Sequence, residues 1–192
     1  MREITKDTEI NTDSLWIINE RDKSGKHSNC YHGNFIPQIP NQLIKRYTKE
    51  NDTILDIFMG SGTTLFECEA LNRKFIGFDI NTEIINYVEQ KMEKSDKSRF
   101  KINDCDVSNK NLFNKAMQKS LFELKCENIQ FVMIHPPYMD IIKFTDKKED
   151  LSQISDLKTF IARFVNILRN TLLYLENKKY FGIVIGDVYK KD

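Results

Sequence analysis

The sequence predicts an α/β domain built on a doubly wound, mostly parallel β-sheet. Three observations predict it. Apolar runs of strand length alternate with stretches of helical spacing, the arrangement that gives a parallel sheet covered on both faces. The first such run breaks into Gly60-Ser61-Gly62 where a helix begins. The fourth stops at Pro136-Pro137, a pair that cannot continue a sheet.

The elements follow in order. The first thirty residues are polar apart from one apolar island, Leu15-Trp16-Ile17-Ile18. Glu20 to Asn34 reads as a loop rich in charge, Ser, Gly and Asn. Residues 1–30 are accordingly set apart as a polar N-terminal segment, and residues 31–192 as one globular domain. Pro37 and Pro40 frame a short helix, Asn41 to Thr48, with Asn41 as its N-cap. A strand at Thr53 to Phe58 leads into the glycine turn and a helix from Thr63 to about Leu71. Lys74 to Phe78 is a second strand, followed by a helix from Thr82 to Lys94 capped by Asn81 or Thr82. Phe100 to Ile102 is a brief third strand ending in Asn103-Asp104, and Asn111 to Leu124 has helical spacing. Ile129 to Ile134 is the fourth strand. From Ser155 or Asp156 to Leu175, apolar residues recur at positions 157, 160, 161, 164, 165, 168 and 172, the spacing of an amphipathic helix. Tyr180 to Val188 is the fifth strand.

Composition narrows the function classes. At 192 residues, 40% hydrophobic and 30% charged, the chain is an ordinary globular domain with room for a sizeable core. A net charge of +1 gives no overall basic field, so contact with a polyanion must be local; Lys143, Lys147 and Lys148 form one basic group. No apolar run approaches the roughly 20 residues of a membrane span, and MREITKDTEI has no signal-peptide core, so no membrane partner is expected. Cys30, Cys68, Cys105 and Cys126 are scattered without CxxC spacing and read as reduced thiols of a cytoplasmic protein. His27, Cys30 and His32 lack the fourth ligand a zinc site needs, so no metal is expected.

The glycine turn carries the chemistry. Ligands of an open parallel sheet sit beyond the carboxyl ends of its strands, where the strand order reverses. The stretch Asp56-Ile57-Phe58-Met59-Gly60-Ser61-Gly62-Thr63 leaves such a strand and enters a helix, whose unpaired N–H groups suit a carboxylate or phosphate. Asp79 ends the next strand, where a carboxylate can accept hydrogen bonds from two ribose hydroxyls. A dinucleotide fingerprint would need Gly at position 65, and Leu65 stands there, which argues against a bound pyrophosphate. After the fourth strand, His135-Pro136-Pro137-Tyr138 places a polar side chain, a rigid carbonyl and an aromatic face at the same edge. Such a set can hold a planar heterocycle and accept hydrogen bonds from its amino group.

With these residues in view, the chain resembles the S-adenosylmethionine-dependent amino methyltransferases of DNA, which modify the exocyclic nitrogen of adenine or cytosine. DIFMGSGTT resembles their methyl-donor motif, His135-Pro136-Pro137-Tyr138 a variant of their catalytic [DNS]PP[YFW], and HGNFIPQIPNQLIKRYTKENDTILD the segment before the donor loop. The resemblance implies the methyltransferase type of doubly wound sheet, S-adenosyl-L-methionine as cofactor, and a site-specific methylase of the restriction–modification type. It also implies duplex DNA with a flipped target base as partner. By the same resemblance Asp56, Phe58, Gly60, Ser61, Gly62 and Thr63 line the methionine end, Asp79 holds the ribose and Ile80 lies against adenine. Asp104 reaches the adenine edge, with Asp106 as a competing candidate. Phe35 and Pro37 cover the cofactor from the other side, though both suit a core equally well.

The family has Asp, Asn or Ser where this chain has His135. A neutral imidazole accepts one hydrogen bond and a protonated one accepts none, so activity is expected to fall below about pH 6.5. The choice between adenine and cytosine stays open. The same chemistry on RNA, or a nucleic-acid-binding subunit with weak turnover, are the alternative readings. Sequence specificity is left to residues 1–30, to the Asp140 to Asp150 loop, or to another chain. The resemblance further implies two last strands beyond the fifth, for which no residues follow. The chain is therefore expected to be a shortened form, or to have its fifth strand covered by a partner subunit or second copy.

Overall fold

The computed structural model describes residues 9–28, 33–139 and 141–186. Its elements run α1 (Gln38–Tyr47), β1 (Thr53–Asp56), α2 (Thr63–Ala70), β2 (Lys74–Asp79), α3 (Thr82–Lys91), β3 (Phe100–Asp104), α4 (Lys110–Glu123) and β4 (Ile129–Ile134). A short 3₁₀ turn (Leu151–Gln153), α5 (Leu157–Leu172) and β5 (Leu175–Ile183) complete them. The strands form one sheet in the order β3-β2-β1-β4-β5, every pair parallel. The order reverses between β1 and β4, so their carboxyl ends open a crevice there. The expected doubly wound α/β sheet is what the chain builds.

Strand alternation divides the core. Ile54, Phe75, Phe131 and Met133 point to one face and pack with Ile44 of α1, Leu65 and Phe66 of α2, and Val88 of α3. Leu55, Ile76, Val132 and Ile134 point to the other and pack with Phe113, Met117 and Leu121 of α4 and Ile167 of α5. Burial on both faces is why these strands read as continuous apolar runs.

Several boundaries shift by two or three residues: β1 ends at Asp56, α3 at Lys91 and β3 at Asp104, and two shifts change the reading of an element. Helix α1 starts at Gln38, so Asn41 lies inside it and is not the N-cap; Pro37 holds that position without a side-chain cap bond. Pro40 falls in the first turn, where a missing N–H costs nothing. Strand β5 begins at Leu175, while α5 stops at Leu172. Its pairing is irregular, Ile129 opposing Leu175 and Phe131 opposing Tyr180, and Lys178 takes φ 65° within the irregularity. The expected end of this strand at Val188 lies outside the described residues. Among the described residues β5 is a sheet edge, with Tyr180, Phe181 and Ile183 all at least 39% exposed.

Residues 9–28 of the polar N-terminal stretch are fastened to the domain. Asn11 N–H donates to Gln42 Oε1 at 2.8 Å, Gln38 Nε2 to the Glu20 carbonyl at 2.6 Å, and Arg21 to the Phe35 carbonyl at 3.1 Å. Beneath it, fully buried Glu67 of α2 meets His27 Nε2 at 2.6 Å and accepts from Asn41 Nδ2 at 2.6 Å. No helix among the described residues is long and apolar enough to cross a membrane.

Candidate functional site

The site forms where β1, β2, β3 and β4 end. Asp56 closes β1 and turns inward: it is 1% exposed, accepting from Thr64 Oγ1 at 2.6 Å and from Phe58 N–H at 3.0 Å. Burial pushes its carboxyl up to about 7. It shapes the glycine turn without lining the cleft. Gly62 is the N-cap of α2 at φ 83°, and a Cβ there would stand 3.1 Å from both Phe66 and Val88. Only glycine takes that backbone without strain, so Gly62 is a packing requirement and not a cleft residue. Phe58, Gly60, Ser61 and Thr63 do line the cleft.

Asp79 links the first two strand ends. Its Oδ2 accepts from Gly60 N–H at 2.8 Å and its Oδ1 from Asn81 N–H at 2.9 Å. Burial raises its carboxyl to about 6 against these bonds. Asn81 in turn caps α3, as one of the two alternatives expected, accepting from the Glu83 and Ile84 N–H groups. Ile80 lines the cleft beside Asp79.

At the end of β3 the register is decided. Strand pairing continues through Asp104, opposite Asp79, and Asp104 accepts from Thr82 Oγ1 at 2.7 Å, outside the cleft. The chain then turns, and Cys105, Asp106 and Val107 line the cleft instead. Ser108 N–H occupies Asp106 Oδ1 at 2.8 Å.

The proline turn faces these groups. His135, Pro136, Pro137 and Tyr138 all line the same cleft. His135 Nε2 is 3.2 Å from the Tyr138 hydroxyl, and its ring meets Phe35 edge-on with centroids 4.9 Å apart. Burial lowers its pKa to about 4, so the imidazole is neutral well below the pH 6.5 expected from the ordinary value. The expected acid limb therefore moves down in pH.

The loop after Tyr138 folds back over the cleft. Ile141, Ile142, Phe144, Asp150 and Leu151 line it, so this loop, one of the candidates for sequence specificity, supplies part of the cleft wall; Asp140 lies outside the described residues. Phe144 N–H donates to Ser152 Oγ at 3.1 Å and its carbonyl accepts from Asn81 Nδ2 at 3.3 Å. The Phe144 ring covers Gly33, leaving 3.2 Å to a Cβ built there. The empty space of the cleft, open solvent at its mouth included, is about 1020 Å³.

Of the residues singled out by sequence, Phe35, Phe58, Gly60, Ser61, Thr63, Asp79, Ile80 and the His135 to Tyr138 turn converge on this cleft. Asp56, Gly62 and Asp104 do not line it, nor does Pro37, which is buried at the start of α1. Reasoning from sequence missed Asn34, whose Nδ2 donates to Ser61 Oγ at 3.1 Å, and it missed Phe144 and Asp150. Of the histidine–cysteine group set aside as a metal site, Cys30 and His32 lie outside the described residues, and His27 is the partner of Glu67.

Residues 1–90 match the family model N6_N4_Mtase, described as DNA methylase. The chain is 38% identical over 102 residues to the type II methyltransferase M.MjaII of Methanocaldococcus jannaschii, covering 53% of this chain and 19% of that protein. It is 31% identical over 118 residues to the type II methyltransferase M.BglI of Bacillus subtilis, covering 59% of this chain and 33% of that protein. The matched region thus spans a fifth to a third of those relatives' length. TrmN from Thermus thermophilus shares the fold with a TM-score of 0.52 at 16% identity, over 76% of this chain and 36% of that one. TehB from Haemophilus influenzae does so with a TM-score of 0.51 at 15% identity, over 81% and 41%. The donor motif, residues 56–64, lies inside the segment that matches this DNA methylase family, and residues 135–138 lie beyond it.

Proposed function

We propose, from a chain that carries DNA methylase sequence over residues 1–90, that this protein transfers a methyl group from S-adenosyl-L-methionine to the exocyclic amino group of adenine or cytosine in DNA, as a site-specific methylase of the restriction–modification type. The observation that carries the reading is convergence: the glycine turn, Asp79 and the His135 to Tyr138 turn line one cleft at the reversal of strand order.

The donor set fits the cofactor. N–H groups at the start of α2 suit its carboxylate. Asp79 keeps acceptor capacity for ribose hydroxyls beyond its two backbone bonds. Asp106, with one oxygen held by Ser108, offers the other to the adenine amino group, and Ile80 supplies an apolar wall. Bound there, the cofactor supplies an electrophilic methyl group on a sulfonium.

The remaining work belongs to the chain. The lone pair of an aromatic amine is delocalised into its ring, so holding that nitrogen in line is most of the catalytic task. The Pro136 carbonyl accepts an amino proton, the Tyr138 ring offers a stacking face, and His135 and Phe35 close the pocket. A base in duplex DNA must leave the stack to arrive there. Residues 31–192 are the catalytic domain in this reading, working in the cytoplasm, with residues 1–30 as a polar N-terminal segment. A partner subunit or second copy covers β5, because Tyr180, Phe181 and Ile183 are 56%, 47% and 39% exposed at one sheet edge.

The test is methyl incorporation from labelled cofactor into unmethylated duplex DNA, with RNA as a parallel arm. Label in DNA that falls sharply in Tyr138→Ala supports the reading. Label in RNA alone, or tight cofactor binding with label in neither polymer, refutes it.

A further inference from the structure

The hydroxyl of Tyr138 stands between two groups. The backbone N–H of Gly186, just past β5, donates to it at 2.7 Å, and His135 Nε2 lies 3.2 Å away. A phenol oxygen is a weak acceptor and a good donor, because its lone-pair density leaks into the ring. The bare nitrogen of a neutral imidazole is a strong acceptor. With the Gly186 N–H occupying the oxygen, the hydroxyl proton has His135 Nε2 as its acceptor. The opposite polarity would make the phenol accept twice and leave its own proton without a partner among the described residues.

We infer that Gly186 and Tyr138 are positioning residues that fix His135 with its proton on Nδ1, so that His135 presents a hydrogen-bond donor to the target base. Nδ1 makes no hydrogen bond among the described residues, and His135 lines the cleft. Burial keeps the ring neutral, and the edge-on contact with Phe35 holds its plane. The consequence for the target rests on the proposed methyl transfer to a base amine. A donor at this position needs a lone pair opposite it, and the ring nitrogen beside the amino group, N1 of adenine or N3 of cytosine, carries one. The amino protons are then left to the Pro136 carbonyl. His135 therefore does a different job from the hydrogen-bond acceptor expected of it from sequence.

Nitrogen-15 NMR of the full chain labelled at histidine tests the tautomer without any turnover. His135→Gln identifies the signals. The expected spectrum has a protonated Nδ1 and a pyridine-type Nε2, and in Tyr138→Phe both resonances move towards a tautomeric average. Gly186→Pro, which removes the N–H, moves them the same way and serves if the phenylalanine variant folds poorly. A wild-type proton on Nε2, or spectra unchanged in both variants, overturns the inference. A second arm adds millimolar deoxyadenosine or deoxycytidine, and for each the deaza analogue lacking the ring nitrogen. The Nδ1 proton should move downfield only with a natural nucleoside. Equal shifts with the deaza analogue, or none with either nucleoside, overturn the ring-nitrogen partner. Failure of methyl transfer to DNA would instead count against the proposed function and leave the tautomer result untouched.

Discussion

Replacing Asp79 by alanine probes the donor half of the cleft with a magnitude the geometry sets. Each carboxylate oxygen already accepts one backbone N–H, from Gly60 at 2.8 Å and from Asn81 at 2.9 Å. Each retains a second lone pair, so two ribose hydroxyls can be held at once. A hydrogen bond to a charged group is worth about 1.5–3 kcal/mol, and water recovers part of it in the variant. A net loss near one such bond is roughly 10- to 100-fold in affinity at about 1.4 kcal/mol per decade. Freeing the Gly60 and Asn81 N–H groups adds a stability cost, read separately by melting. The pH dependence supplies a second signature. Burial places the Asp79 carboxyl at about 6, and the ionised form is the better acceptor, so wild-type affinity should rise with pH through that value. The alanine variant should lose this rise along with the affinity. Isothermal titration with S-adenosylmethionine across the pH range measures both. A folded Asp79→Ala with an unchanged dissociation constant, or one that keeps the pH rise, refutes the assignment.

The register at the end of β3 predicts that Asp106→Ala weakens cofactor binding about tenfold, one charge-assisted bond, while Asp104→Ala leaves it unchanged; the reverse pattern in titration would move the adenine edge to Asp104. At saturating cofactor, turnover should stay level through pH 6.5 and fall only towards about 4, where protonation of His135 Nε2 breaks its bond from the Tyr138 hydroxyl and frees the ring and the stacking tyrosine. A midpoint near 6.5 in the rate profile would show the ring to be solvated. Asp56 titrates near 7 when folded and near 3.8 when unfolded, so the folded chain holds that proton more tightly. Its stabilising share is full below the lower value and is lost as pH rises through the upper. Melting temperatures should therefore fall between pH 4 and 8 more steeply in the wild type than in Asp56→Asn, and equal slopes would contradict the buried carboxyl.

What was legible in the sequence is what local chemistry writes there. The strand from Thr53, its break at Gly60 to Gly62, and the stop at Pro136-Pro137 rest on periodicity, on backbone freedom and on a missing donor, all within a few residues. They placed most of the cleft. Helix α1 was read late because Pro40 looks like an entry residue, whereas the first helical turn accommodates it. The start of β5 hid in the polar run Leu175 to Lys179, whose bulge sets Lys178 at φ 65° and has no sequence signature. Asp104 and Asp106 differ by where a strand stops pairing, which depends on Asp79 in the neighbouring strand. Glu67 belongs to a different class again. It sits in an apolar helix, and its partner His27 is forty residues away, so only tertiary structure explains a buried carboxylate there. The fold of residues 141–153 over the cleft is likewise non-local, depending on Asn81 and Gly33.

The central claim is that the cleft between the glycine turn and the proline turn delivers a methyl group to a base amine. Mass analysis of nucleosides tests it most directly, after incubating the protein with unmethylated DNA and a cofactor bearing a deuterated methyl group. With cofactor near its wild-type dissociation constant, heavy label is expected in N6-methyldeoxyadenosine or N4-methyldeoxycytidine alone, reduced about tenfold in Asp79→Ala and in Tyr138→Ala. Label on a ring carbon of either base, or amine label undiminished in both variants, would contradict it.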